Sequence, residues 1–167
     1  EIIANAQADP LDYANLGVRS LRLSEIRTTQ FAAAMRMQPD LFSIFGGPND
    51  MLSVTCDFAG IRADLAAIFG DARSPDCTVV TFTMPDPSSI NPFGRRFRNR
   101  MLHFNDIIRE ESERYGVLVM DFQHYPIIQD PRLFSEDRLH GNQLGHERVA
   151  AAMAWRLGIE GADEMWA

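Results

Sequence analysis

A three-layer α/β/α sandwich on a parallel sheet, formed as one domain over residues 1–167, is the fold this sequence predicts. Three observations predict it. Short apolar runs alternate with longer stretches of helical period, and Gly, Pro or Asp marks each change. Strands separated by helices of that length run parallel through right-handed crossovers, which cover both faces of the sheet. A hydrophobic content of 46% supplies one sizeable core, while the length falls short of two ordinary domains.

Each element follows from local chemistry. Glu1 to Ala6 reads as the end of a helix already in progress, because no polar cap precedes it, so the domain is expected to lack its N-terminal part. Tyr13 to Leu16 is a short strand candidate. Leu23, Ile26, Ala33, Ala34 and Met37 then share a helix face that Pro39-Asp40 ends. Leu41 to Phe45 is nearly all apolar, as in a strand covered on both sides, and Gly46-Gly47-Pro48 must turn. Thr55 is placed to cap a helix carrying Phe58, Ile61, Leu65, Ile68 and Phe69, with Gly70 to end it. Thr78 to Phe82 is rich in β-branched residues, and a long helix follows with Phe97, Met101, Phe104, Ile108 and Tyr115 on one stripe, closed by Gly116. Val117 to Met120 makes the last strand. A loop crosses Pro126 and Pro131, and Leu144 to Leu157 forms a final helix before Gly158.

Bulk properties narrow the function classes. A net charge of −7 disfavours nucleic acid and anionic membranes as partners, and small neutral substrates suit it better. No run approaches the ~18 apolar residues of a membrane span, so stable membrane insertion is not expected. Cys56 and Cys77 form neither a CxxC pair nor a disulfide framework and read as small buried hydrophobes, which favours a cytoplasmic location.

In a parallel α/β sheet, chemistry gathers beyond the carboxyl ends of the strands. Three polar clusters fall there: Asn15-Leu16-Gly17-Val18-Arg19-Ser20, Gly46-Gly47-Pro48-Asn49-Asp50, and Asp137-Arg138-Leu139-His140 ahead of the last helix. Together they resemble the SGNH hydrolases, the GDSL-like lipases and esterases. That family is similar in carrying Asn-x-x-x-x-Gly, Gly-x-Asn-Asp and Asp-x-x-His blocks in this order. The resemblance spans the chain and implies a flavodoxin-like sheet, a small-molecule ester as substrate, a Ser-His-Asp arrangement and no cofactor.

On this reading His140 is the general base, since imidazole takes a hydroxyl proton and returns it to the leaving alcohol near neutral pH. Asp137 orients it by accepting the Nδ1 proton. Asn49 donates its amide to the oxyanion, and Asp50 is structural. Ser20 stands where the family has a glycine whose N–H is a second oxyanion donor; the N–H survives, but a Cβ demands a less comfortable backbone. Ser20 as a replacement nucleophile lacks the tight strand-to-helix elbow that role needs. The family's Gly-Asp-Ser block is absent, and its nearest decoy, Gly70-Asp71-Ala72, has no hydroxyl and reads as a helix C-cap and turn. The nucleophile is therefore expected upstream, on a missing first strand that belongs inside the sheet. Its absence would leave unpaired edges and a poorly soluble or partly unfolded chain. The alternative is a non-catalytic flavodoxin-like binding module or an inactive homologue.

Other polar residues have plainer expectations. Arg95, Arg96, Arg98 and Arg100 read as a solvated helix face. His146 with Asp137 and His140 imitates a zinc or iron set, but the histidines lack i, i+4 spacing, so His146 is expected in the core or supporting the site. His103 and His124 are expected on a helix face and in a loop, and Trp155 and Trp166 over the core edge and tail. Asp86 and Asp121 both end strands, and either could line a substrate cleft. Residues 123–134, with Tyr125, Ile127, Ile128 and Phe134, are apolar enough to line an acyl pocket or to pack the loop down. Substrate (lipid, acetylated sugar or thioester) and oligomeric state stay open.

Overall fold

Thr78–Phe82 (β2) is the middle strand of a three-stranded parallel sheet, flanked by Leu41–Ser43 (β1) and Leu118–Met120 (β3). The computed structural model describes residues 2–86, 88, 92–138 and 140–167, so Glu1 and Leu139 lie outside the described residues. Register pairs Phe42 with Val79 and Thr81 with Val119. Val79, Val80 and Thr81 are all buried, as a central strand with two covered faces requires. The ladder continues past the strand ends, where Ile44 donates to the Val80 carbonyl and Thr83 to that of Met120.

Alternation along β2 and β3 sends side chains into two cores. On one face Val79 and Val119 meet Leu23, Ile61, Leu65, Ile68, Phe69, Phe104 and Ile108. On the other, Phe82 and Met120 meet Phe122, Ile128, Ala152 and Trp166. The first face is covered by Leu23–Ile26 (α2), Phe58–Ala72 (α5) and Arg98–Tyr115 (α6); the second by Gln143–Arg156 (α7), against which Ile2–Asn5 (α1) packs. Ala32–Arg36 (α3) and Pro48–Met51 (α4) complete the helices used below. Gly116, at φ 71°, closes α6 as read from the sequence. None of the described helices is long and apolar enough to cross a membrane.

Four local expectations are corrected. Tyr13–Leu16 is not a strand: Tyr13 is 78% exposed, no ladder partner is present among the described residues, and the Asn15 side chain accepts from Gly17 N–H in a local turn. The helix after Leu23 passes through a π turn at Arg27–Phe31, which shifts its register, so that Phe31 and Met35 reach the core and Met37 is left 55% exposed. Asp57, not Thr55, caps α5, accepting from Gly60 N–H at 3.0 Å. Gly70 does not end that helix, which runs on through Asp71 to Ala72; it makes room for Tyr115, whose ring would lie 3.2 Å from an added Cβ.

Candidate active site

Beyond β1 the chain must reverse in very little space. Gly47 does so at φ 113°, and a Cβ there would sit 2.2 Å from the Phe104 ring, so only glycine fits the turn. Pro48 opens α4 and Asn49 follows on its first turn. The Asn49 amide donates to the Leu21 carbonyl at 3.0 Å, and the Asp50 carboxylate accepts from Leu23 N–H at 3.1 Å. These two bonds stitch the turn beyond β1 to the turn that carries Ser20. Burial pushes the Asp50 carboxyl up, only partly offset by the Leu23 N–H, which fits an acid spent on holding backbone. Ser20 adopts φ 68°, in the left-handed region that favours glycine.

The second cluster precedes α7. Asp137 accepts from His140 N–H at 3.0 Å through one oxygen, and its other oxygen lies 2.7 Å from His140 Nδ1. Arg138 between them is at φ 51°, and the Ser135 N–H to His140 carbonyl bond closes the turn. The turn is anchored to the helix behind it. Asn142 caps α7 by accepting from Gly145 N–H, while its amide donates to the carbonyls of Arg132 and Phe134. Gly145 passes so close to the Leu133 carbonyl that a Cβ would overlap it at 2.2 Å. With Gly145 taking the buried position, His146 faces outward and is exposed, which excludes the core place of the two expected for it. Among the described residues no three His, Cys, Asp or Glu side chains are grouped to hold a metal ion.

Asn49 is thus bonded to Leu21, the residue that follows Ser20, and Asp137 and His140 form a second pair on the β3 to α7 crossover. Asp86 and Asp121 are committed elsewhere. Arg98 and Ser88 bind Asp86, and these bonds outweigh its burial and hold its carboxyl below the usual range. Burial also raises Asp121, but the bidentate Arg109 guanidinium and the Thr83 hydroxyl bring it below the usual range. His124 adds a contact at 2.9 Å. Gln123 and the fully buried Asn105 extend this network, with Asn105 clasping both backbone groups of Met84. The sequence signal for it was two polar residues, Asn105 and Arg109, four apart and continuing the buried side of α6.

The arginine cluster is not a plain solvated face. Arg98 pairs with Asp86, and Arg100 donates to the carbonyls of Met51, Ser53 and Val54. Leu52, Ser53, Val54, Arg96, Phe97 and Arg100 line a cleft of about 270 Å³ beside α4. The 123–134 loop packs down: Ile128 and Leu133 are buried, and Tyr125 and Ile127 lie against the second core. Trp166 is buried there with Trp155 against it, and His103 sits on α6 with its ring edge-on to Phe58. Cys56 and Cys77 are unpaired and half-buried against the first core, and burial raises both thiols.

Solved structures share this fold at low sequence identity. The acetylxylan esterase of Geobacillus stearothermophilus superposes with a TM-score of 0.74 at 19% identity, covering 90% of this chain and 74% of its own. A psychrotrophic esterase from Pseudoalteromonas sp. gives 0.67 at 18%, covering 87% and 75%. An acetyl xylan esterase gives 0.70 at 18%, covering 84% and 78%. No curated protein matches the sequence. The model of the GDSL-like lipase/acylhydrolase family matches residues 3–148, a span that includes Ser20, Asn49, Asp137 and His140. The chain therefore belongs to the GDSL-like lipase/acylhydrolase family, a family of ester hydrolases.

Proposed function

We propose that this protein is a serine ester hydrolase in which His140 is the base, Asp137 its orienting acid, and Asn49 and the Ser20 N–H the oxyanion donors. The observation that carries the reading is the 2.7 Å pair between Asp137 and His140 Nδ1. Nδ1 bound to a carboxylate leaves Nε2 to take the proton of an attacking hydroxyl and to deliver it to the leaving alcohol. Asp137 favours the imidazolium formed between those two steps. One Asn49 amide hydrogen is held by the Leu21 carbonyl, which fixes the plane of the group and leaves the other for the developing oxyanion.

In this reading the serine lies outside residues 1–167, on a strand that completes the domain. β1 has a ladder partner on one side only among the described residues, and Tyr13–Leu16 has none. A strand added beside β1 would extend the sheet, with its carboxyl end at the rim where β1 leads into Gly47 and Asn49. The Geobacillus enzyme is known as a serine-to-alanine and a histidine-to-alanine catalytic mutant, and the Pseudoalteromonas esterase as inhibited by monoethylphosphonate. Both agree with a serine and histidine pair. Small neutral esters suit the net charge of −7, and the unpaired thiols favour the cytoplasm.

The test uses the protein with its nucleophile-bearing segment, a fluorophosphonate probe and a panel of acyl esters. Labelling of a serine is expected, and His140→Ala should lower ester hydrolysis by about 10³-fold or more. An esterase rate unaffected by His140→Ala would remove His140 as base. A second reading, a non-catalytic module, is favoured by the lack of any Gly-Asp-Ser tripeptide in the sequence, and absence of labelling would support it.

A further inference from the structure

A one-turn helix has little stability of its own, yet α4 is the element that carries Asn49. What holds it comes from α6. Phe104 fills the space left by the missing Cβ of Gly47 at the N-terminal end of α4. One turn earlier on the same face of α6, Arg100 reaches the other end. Its Nη1 donates to the Met51 carbonyl at 3.1 Å and the Ser53 carbonyl at 2.7 Å, and its Nη2 to the Val54 carbonyl at 3.4 Å. These are the carbonyls that the end of α4 and its following turn leave without helical partners, and a cation there also suits the helix dipole. A planar guanidinium spans three carbonyls, which a single ammonium does not.

We propose that Arg100 is a positioning residue for ester hydrolysis, setting the Asn49 amide by clamping the C-terminal end of α4 while Phe104 and the Leu21 carbonyl fix its other end. The inference rests on the reading of Asn49 as an oxyanion donor. Arg100 itself touches only backbone carbonyls among the contacts described. Oxyanion stabilisation depends on a preorganised donor, and displacements of about 1 Å in such groups cost up to about 10²-fold in rate.

The experiment is a double-mutant cycle on the protein that carries its nucleophile, with kcat and KM measured on one ester. Arg100→Met is expected to lower kcat roughly 10- to 100-fold while KM changes less than about two-fold. Arg100→Lys should fall between it and the parent, and carries the same cycle if the Met variant does not fold. In an Asn49→Ala background, Arg100→Met should cost less than about two-fold more, because the amide it positions is gone. Equal losses in both backgrounds would overturn the proposal, as they would mark a general structural role. A loss confined to KM would also overturn it, making Arg100 a wall of the adjacent cleft. If Asn49→Ala leaves kcat unchanged, the oxyanion reading fails instead, and the positioning proposal falls with it.

Discussion

Among the described residues only three non-glycine positions have positive φ, and two of them, Ser20 and Arg138, lie in the candidate site. Left-handed backbone costs an L-residue about 1–2 kcal/mol, and it persists where surrounding bonds over-determine it. Here the Asn49 and Asp50 bonds fix the first turn, and Asp137 with Ser135 fixes the second. Ser20→Gly should therefore raise stability by about 0.5–1 kcal/mol in urea unfolding, after the added flexibility of the unfolded chain is subtracted. It should leave hydrolysis in place, because the donor proposed at this position is the backbone N–H, which glycine keeps. Asn49→Ala is the complementary change: about 2.7–4 kcal/mol of transition-state stabilisation, or 10²- to 10³-fold in kcat, is expected to vanish, with about 1 kcal/mol of stability lost along with the Leu21 bond.

At the scale of elements, α6 is the part on which the Asn49 turn leans, through Phe104 under Gly47 and Arg100 on α4, and it also holds Asp121 through Arg109. Gly47→Ala combines a positive φ with a collision against the Phe104 ring, so a loss of more than about 2 kcal/mol is expected by denaturant titration. Asp121 has a depressed carboxyl pKa in the fold, so its contribution is present above the pKa of an unfolded aspartate and is lost as pH falls through the folded value. Arg109→Met removes the bidentate partner and should cost about 1–3 kcal/mol near neutral pH. The loss should shrink as pH drops into the acid range, and a constant loss from pH 7 to pH 3 would refute the linkage. Much of this layer was legible beforehand. Thr78–Phe82 announced itself by β-branching and the α6 stripe by its period, because both signals are local. Tyr13–Leu16 misled because a strand exists only where a ladder partner does, and that is tertiary information. The π turn at Arg27–Phe31 slid a correct helix face by part of a turn. The Asp137 and His140 turn was readable as a pair three apart, whereas Arg100 resembled surface charge until its partners, 46 to 49 residues away, were in place.

For the whole molecule, the consequential feature is the outer edge of β1, which has no ladder partner among the described residues. Unpaired N–H and C=O groups on a short apolar strand invite pairing with another chain. A polypeptide limited to residues 1–167 is expected to self-associate or to melt without cooperativity, as sedimentation and differential scanning calorimetry would show. A monomer with a sharp transition would contradict the nucleophile strand proposed to complete the sheet. The other side of the sheet offers a way to watch this. Both tryptophans of the sequence, Trp155 and Trp166, are 5.9 Å apart in the layer that holds α7, and the helices bearing Asn49 and Arg100 contain none. Ultraviolet emission from this protein is consequently a one-sided lamp: it dims or shifts when the layer behind His140 loosens and stays dark to fraying around Asn49. Far-ultraviolet circular dichroism reads both layers, so any gap between the two melting curves measures how independently the halves of the site come apart.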